Sequence, residues 1–347
     1  MEKRIGIMGA GVVADYGHAP AIKDAAGITP VAVFDPRKKH VESFAQRHGI
    51  PHAADTVDGF FATDLDAVLV SSPAPTHLMN VKACVERNLP VLCEKPLAMD
   101  EADSLEMVEL CEQAGVPLFC GFCYRFSQSA LDIKRMIRDG AIGQVRSLRL
   151  IYNWDCHGKY CQDPETGAWQ LDQRRIERME EGGPLFDCGT HQIDLARWWL
   201  DAEVTAFDGR GAWVEVDDYQ APDHVWLHLD LQGEYAPQGA HACIEMSYSY
   251  GHTTRDKFSE FVYELIGTDG MIRYDRNHSQ FELRDGQKTE RLHYHEEKNF
   301  RRMWEDYAQF LHHGEPGDLA TARDALEVTR LARNGTEKAI AARPKLS

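Results

Sequence analysis

From Lys3 to Phe122 the chain alternates short, continuously apolar runs with helical stretches, and no other feature narrows its fold as much. Lys3–Met8 is an apolar run ending in glycines, and a helical stretch follows to about Ala26. Thr29–Phe34 is β-rich, ends at Asp35 and gives way to helix over about Arg37–His48. Asp66–Ser71, Pro90–Glu94 and Pro117–Phe122 read as further strands. One helix begins near Thr76; another, capped by Asp100, runs to about Ala114. Strands apolar along their whole length are covered on both faces, which is the signature of a parallel sheet between helices. The expected fold class is therefore α/β, with an N-terminal doubly wound parallel sheet.

The pattern changes after Arg125. A helix over about Ser127–Asp139 precedes a strand-like Gln144–Trp154, a polar and aromatic loop over Asp155–Gly183, and a helix over about Leu185–Leu200. Period-two alternation then takes over. Ala242, Ile244, Met246, Tyr248 and Tyr250 share one face, and Asp269-Gly270 and Asp285-Gly286 read as hairpin turns. This is an antiparallel sheet with one strongly apolar face; a second apolar face would suggest pairing with another subunit. Two helices, about Asn299–His313 and Asp318–Ala342, close the chain. With 347 residues, the chain exceeds what one core holds, so two domains are expected, 1–123 and 124–347, the second including both terminal helices.

A formal net charge of −17 argues against nucleic-acid or anionic-membrane partners. No apolar run approaches the ~20 residues that span a bilayer. Met1–Gly9 does not read as a signal peptide, so a cytoplasmic protein is expected. The nine cysteines are then expected as thiols. Cys120-Gly121-Phe122-Cys123 matches a redox CxxC, but it sits in a buried strand rather than at a helix start, and no second CxxC completes a zinc site.

Gly9-Ala10-Gly11-Val12-Val13-Ala14 follows a strand and opens a helix. The first glycine makes the turn, the second lets backbone approach a pyrophosphate, and the small residue permits close helix–strand packing. An acidic residue should end the next strand about 20 residues on, and Asp35 does. Gly9, Gly11, Val12, Val13 and Asp35 are therefore candidate contacts to a dinucleotide. Asp35 favours NAD, because a carboxylate accepts from ribose hydroxyls and repels a 2′-phosphate; neighbouring Arg37 leaves NADP open. Ser72, Pro73 and His77 follow a strand at the rim where such sheets bind ligands, as do Glu94 and Lys95. The alternative for that loop is a Pro-stiffened turn with Thr76 capping the helix.

Lys95, at a strand end before Pro96, could donate a proton or bind a substrate hydroxyl; the alternative is a solvated lysine. In Gly182-Gly183-Pro184-Leu185-Phe186-Asp187-Cys188-Gly189-Thr190-His191 a helix would put Asp187 and His191 one turn apart. A carboxylate so placed can orient an imidazole for removing a hydroxyl proton. Gly189 would cost such a helix roughly 1 kcal/mol, which implies a close approach there.

Taken together, Gly9–Ala14, Glu94-Lys95-Pro96, Tyr124-Arg125-Phe126 and Asp187-x-Gly189-x-His191 make a chain that resembles the glucose-fructose oxidoreductase/inositol dehydrogenase (Gfo/Idh/MocA) family along essentially its whole length. The resemblance implies a Rossmann domain followed by an α/β domain on a large, mostly antiparallel open sheet, with dimers or tetramers formed through that sheet. Lys95 would match the lysine that contacts substrate and nicotinamide, His191 the acid/base, and Asp187 the carboxylate that tunes it. Pro184 departs from the pattern, standing where many members have a third glycine. Tyr124, Arg125 and the Asn153–Arg175 loop, with Trp154, His157 and Trp169, would then bind a sugar or cyclitol through aromatic faces and charged groups. Three alternatives stand beside this dehydrogenase. They are a hydrolase or lyase using tightly held NAD transiently, a non-catalytic sugar or dinucleotide sensor, and a metal-dependent sugar enzyme using Asp187, His191 and His157. No metal-ligand spacing supports the last, and no metal is expected.

Overall fold

The computed structural model describes residues 2–156, 160–163, 166–215, 219–251 and 254–343. It divides into two units, Met1–Phe126 with Lys298–Thr329, and Ser127–Glu297 with Arg330–Ser347. Among the described residues no helix is long and apolar enough to cross a membrane.

In the first unit six parallel strands, β1 (Lys3–Met8), β2 (Ile28–Phe34), β3 (His52–Ala54), β4 (Ala67–Val70), β5 (Val91–Cys93) and β6 (Leu118–Cys120), lie in the order β6-β5-β4-β1-β2-β3. The direction of winding reverses between β1 and β4, so the crevice for a dinucleotide opens at their C-terminal ends. The connecting helices are α1 (Ala19–Asp24), α2 (Lys38–His48), α3 (Val57–Phe61), α4 (His77–Val85) and α5 (Glu101–Ala114). Asp100 caps α5 by accepting from the Asp103 N–H, and Gly115, at φ 67°, ends it. The helix after β1 is not regular: a π turn occupies Ala14–His18. β3 and α3 carry no sequence signal, because His52-Ala53-Ala54 lacks the continuous run of large apolar residues that marks β5 and β6, and the five residues of α3 are too few for a helical period.

The sequence pattern places both C-terminal helices in the second domain; packing instead returns Lys298–Thr329 to the first unit. Ala320–Thr321 pairs antiparallel with β6, and Trp304 of the Phe300–His313 helix donates its indole N–H to His18 Nδ1 at 3.0 Å. A segment that returns to a sheet after a whole intervening domain leaves no local signal of doing so.

The second unit begins with α6 (Gln128–Arg138) and β7 (Val145–Asn153). The segment expected as loop folds into a hairpin, β8 (Tyr160–Gln162) with β9 (Trp169–Leu171), and a helix, α7 (Gln173–Glu180), capped by Asp172. Then come α8 (Gly183–Asp187), α9 (Gly189–Leu200), β10 (Ala202–Ala212), β11 (His224–Gly233), β12 (Ala236–Ser247), β13 (Glu260–Gly267), β14 (Gly270–Asp275), β15 (Gln280–Asp285) and β16 (Thr289–Arg291). Their sheet runs β10-β11-β12-β7-β13-β14-β15-β16, antiparallel except between β12 and β7.

One face of this sheet buries Leu148, Leu150, Leu227, Leu229, Ala242, Ile244, Met246 and Leu265. α9 lies against β7, β10 and β12 on that side. Glycine permits the contact elsewhere too: a Cβ on Gly209 of β10 would stand 2.0 Å from the Gly335 carbonyl oxygen of the Ala322–Ala341 helix. The other face is not apolar. Arg149, Glu264, Arg273 and Asp275 form a charge ladder across β7, β13 and β14, and His241 pairs with Asp230 and His228 across β11 and β12.

Candidate active site

The first unit presents a tightly built turn after β1. Gly9 has φ +105°, and a Cβ there would lie 2.4 Å from the Ser72 backbone nitrogen, so no other residue fits. The Gly9 N–H donates to the Phe34 carbonyl at 2.8 Å, and the Gly9 carbonyl accepts from the Ser71 hydroxyl at 3.0 Å. The ends of β1, β2 and β4 are thereby tied together. Beside Gly11 the space is open, with only the Ser71 carbonyl oxygen 3.9 Å from a would-be Cβ, and Val12 and Pro73 face outward. Narrow turn, open space and helix start fit the pyrophosphate of a dinucleotide.

Asp35 is buried and fully engaged. It accepts from the Ala10 N–H at 3.3 Å, from the Arg37 N–H at 3.0 Å, and from Arg37 Nε and Nη2 at 2.8 and 2.9 Å. Burial pushes the carboxyl up, but the Arg37 side chain and the two N–H donors outweigh it and hold its pKa below the ordinary value of 3.8. Arg37 itself is exposed, so it can swing to and from this carboxylate. His40 donates from Nε2 to the Ala10 carbonyl at 2.6 Å.

The loop after β4 is braced from within. The Ser72 hydroxyl accepts from Thr76 at 2.7 Å and from Asn80 Nδ2 at 2.8 Å. Thr76 does not cap α4 with its side chain, contrary to the sequence alternative. The His77 ring is buried and lies between carbonyls, Nε2 2.8 Å from Ser72 O and Nδ1 3.1 Å from Pro96 O and Leu97 O. Burial lowers its pKa. Lys95 is half-buried, and its backbone N–H donates to Oε2 of Glu94 at 3.2 Å. Tyr124 and Arg125 are buried in this unit. Arg125 donates to the Asp318 carbonyl at 3.4 Å and lies 3.8 Å from Asp324.

The second unit carries the carboxylate and imidazole. Gly182 and Gly183 turn the chain with φ 133° and 74°, and Pro184 sits in the first turn of α8, where its missing N–H costs nothing. Asp187 ends α8 and His191 lies in the first turn of α9; the helix is interrupted at Cys188 rather than continuous. Gly189 does mark a close approach: a Cβ would stand 2.8 Å from Leu185 Cδ1 and 3.3 Å from Met246 Cγ. His191 is buried, and Asp187 is half-buried. Tyr248 of the strand end after β12 donates its hydroxyl to Asp187 Oδ2 at 2.5 Å. Burial first, then the Asp187 charge, pushes this phenol well above its ordinary pKa, so it remains a donor.

Trp154 stacks on Tyr152, with centroids 5.5 Å apart, and presents its edge to Tyr248. Trp169, on the β8–β9 hairpin, is 70% exposed, so its indole face is open to solvent rather than packed into the unit. His157 falls outside the described residues. Three side chains that the sequence does not single out matter here. Tyr248 reads as one more apolar position of β12. Arg178 feels the Asp187 charge, which with Glu181 raises its pKa against burial. Arg175, buried, pairs with Glu215, donates to the Cys156 carbonyl at 2.8 Å and lies 3.6 Å from Asp155, so it pins the Trp154 segment to α7. Among the described residues no group of His, Cys, Asp and Glu is arranged to hold a metal ion.

Residues 3–122 match the model of the GFO/IDH/MocA oxidoreductase family, NAD-binding Rossmann fold, and residues 130–273 match the GFO/IDH/MocA C-terminal domain. An inositol 2-dehydrogenase of Saccharopolyspora erythraea is 32% identical over 212 residues, 60% of this chain and 57% of that protein. The scyllo-inositol 2-dehydrogenase (NAD(+)) of Bacillus subtilis is 27% identical over 277 residues, 78% of this chain and 73% of that protein. The chain thus spans little more than half the length of the first of these relatives. The crystal structure of the aldose-aldose oxidoreductase from Caulobacter crescentus superposes with a TM-score of 0.81 at 22% identity, over 99% of both chains. The chain belongs to the GFO/IDH/MocA family of oxidoreductases, and its N-terminal part is an NAD-binding Rossmann fold.

Proposed function

We propose that this protein is an NAD-dependent dehydrogenase that oxidises a hydroxyl of a cyclitol or sugar, or reduces the corresponding carbonyl. The observation that carries the reading is Asp187, held by the Tyr248 hydroxyl and placed four residues before the buried His191. Relatives named as inositol dehydrogenases support the substrate class.

Bound NAD supplies the hydride acceptor, and its reduced form the donor. Gly9, Gly11, Val12 and Val13 would hold the pyrophosphate of NAD, beside the Ser72-Pro73 backbone. Asp35 would accept from the adenosine ribose hydroxyls, for which Arg37 would release part of its carboxylate. His191 takes up the hydroxyl proton as the substrate is oxidised, and Asp187 orients its ring. The Lys95 ammonium hydrogen-bonds the reacting oxygen and stabilises developing negative charge on it. Trp154 offers an aromatic face to the ring of the substrate. Assembly into a dimer or tetramer through the C-terminal sheet belongs to the same reading.

The test is incubation of the purified chain with NAD+ and NADP+ separately, against inositols, aldoses and sugar acids, following absorbance of the reduced cofactor. Sustained reduction of NAD+ by one polyol class supports the reading and names the substrate class. Silence across the panel, with NAD retained by the protein, overturns net dehydrogenation in favour of transient redox.

A further inference from the structure

A chain of three hydrogen bonds, buried within the first unit, ends on the backbone of Lys95. Trp304 Nε1 lies 3.0 Å from His18 Nδ1, His18 Nε2 lies 2.8 Å from Glu94 Oε1, and Glu94 Oε2 accepts from the Lys95 N–H at 3.2 Å. Trp304 and His18 are fully buried, and Glu94 is buried at the strand end. An indole N–H can only donate. His18 Nδ1 is therefore the acceptor, its ring proton is on Nε2, and that proton is aimed at the carboxylate. The donors of Trp304 and His18 thus run in one direction, from the indole toward Glu94.

The surroundings are shaped for this arrangement. His18 ends the π turn of Ala14–His18, just beyond the cofactor turn. A π turn adds a residue to a helix and re-aims the side chains beyond it. Phe300 packs edge-on against the imidazole with centroids 4.9 Å apart, and its ring leaves no room for a Cβ on Gly17. Across the carboxylate, a Cβ on Gly121 would come within 2.8 Å of Glu94 Oε1. The Glu94 carboxylate is therefore confined, with one oxygen on His18 and the other on the Lys95 N–H. Immediately after Lys95 in the chain, the Pro96 and Leu97 carbonyls meet the His77 ring. The residues before and after Lys95 are thus each held by a buried imidazole, and the proposed chemistry uses neither.

We propose that His18 and Trp304 are positioning residues for Lys95. Trp304 fixes the His18 tautomer, His18 fixes the Glu94 carboxylate, and Glu94 fixes the backbone from which the Lys95 side chain is presented. The importance of this for turnover rests on the role given to Lys95 above, whereas its effect on the Lys95 amine does not.

The experiment compares His18→Leu, His18→Gln and Trp304→Phe with the unmodified full chain. The first readout is the rate at which Lys95 is acylated by limiting acetic anhydride, measured by peptide mass without substrate. The second is kcat against KM, alongside the NAD dissociation constant. His18→Leu removes both bonds; it should change the Lys95 acylation rate by at least about threefold and lower kcat about tenfold or more, with NAD affinity nearly unchanged. Glutamine can accept from Trp304 and donate to Glu94, so His18→Gln should restore most of both values. Trp304→Phe keeps the packing but frees the tautomer, and the His18 ring nitrogen resonances should lose their single protonation pattern. Unchanged Lys95 acylation in a folded His18→Leu, or His18→Gln no better than His18→Leu, overturns the proposal. If His18→Leu does not fold, an unchanged His18 tautomer and Lys95 rate in Trp304→Phe overturn it. An altered amine with turnover insensitive to Lys95→Ala supports the positioning chain and overturns only the catalytic role of Lys95.

Discussion

The hydroxyl of Tyr248 donates to Oδ2 of Asp187 at 2.5 Å, joining the end of β12 to the break between α8 and α9. A hydrogen bond to a charged group contributes about 1.5–3 kcal/mol. Tyr248→Phe keeps the ring, its edge contact with Trp154 and its burial, and removes only the donor. We expect kcat to fall about tenfold to a hundredfold, with NAD affinity unchanged. Steady-state kinetics with a cofactor titration checks this, and wild-type kcat in the variant would remove Tyr248 from the site.

His191→Ala and Lys95→Ala should each lower turnover by about 10²–10⁴, the range expected for loss of a positioned proton-transfer or charge-stabilising group. NAD binding, followed by quenching of protein fluorescence, should persist in both. Near wild-type turnover in both variants on a true substrate would overturn the site assignment.

Arg37 is poised to set cofactor choice, because the same guanidinium that covers Asp35 neutralises the charge that would repel a 2′-phosphate. Arg37→Ala should lower NADP affinity relative to NAD by about tenfold, read by titration of each dinucleotide. The variant also has a consequence in acid. Asp35 has a depressed pKa in the folded protein, so its contribution to stability is present above the ordinary value of 3.8 and is lost as pH falls through the lower folded value. Without Arg37 the folded pKa rises, that contribution shrinks, and acid unfolding should move to higher pH in a circular-dichroism titration.

Two glycines separate cofactor binding from stability. A methyl group on Gly9 meets the Ser72 backbone and demands a positive φ, so Gly9→Ala should abolish NAD retention as well as lower Tm. A methyl group on Gly209 meets the Gly335 backbone at 2.0 Å in the second unit. Gly209→Ala should lower stability by about 1–3 kcal/mol while NAD binding survives. Thermal melts with and without NAD distinguish them.

Assembly through the C-terminal sheet makes a prediction about salt. The outward face carries Arg149, Glu264 and Arg273 in a ladder rather than an apolar surface. An interface built on such charges weakens as salt screens them. Sedimentation should show a dimer or larger species at low ionic strength that dissociates on raising it; a monomer throughout would overturn the assembly.

Much of this was local and therefore legible in the sequence. Apolar strands between helices, the Gly9–Ala14 turn and Asp35 at the next strand end each depend on neighbours within a few residues, and so does Gly189 as a point of close approach. β3, β8 and β9 escaped because, unlike the equally short β5 and β6, they lie in no continuous run of large apolar residues. What the tertiary structure alone decided involves side chains whose partners no local pattern names. Trp304 returns to His18, Tyr248 reaches Asp187, and Arg37 turns back on Asp35 instead of outward. The hydrophobic pattern specifies which face of a strand or helix is buried, but a hydrogen bond between buried polar groups depends on which elements meet, and only packing determines that.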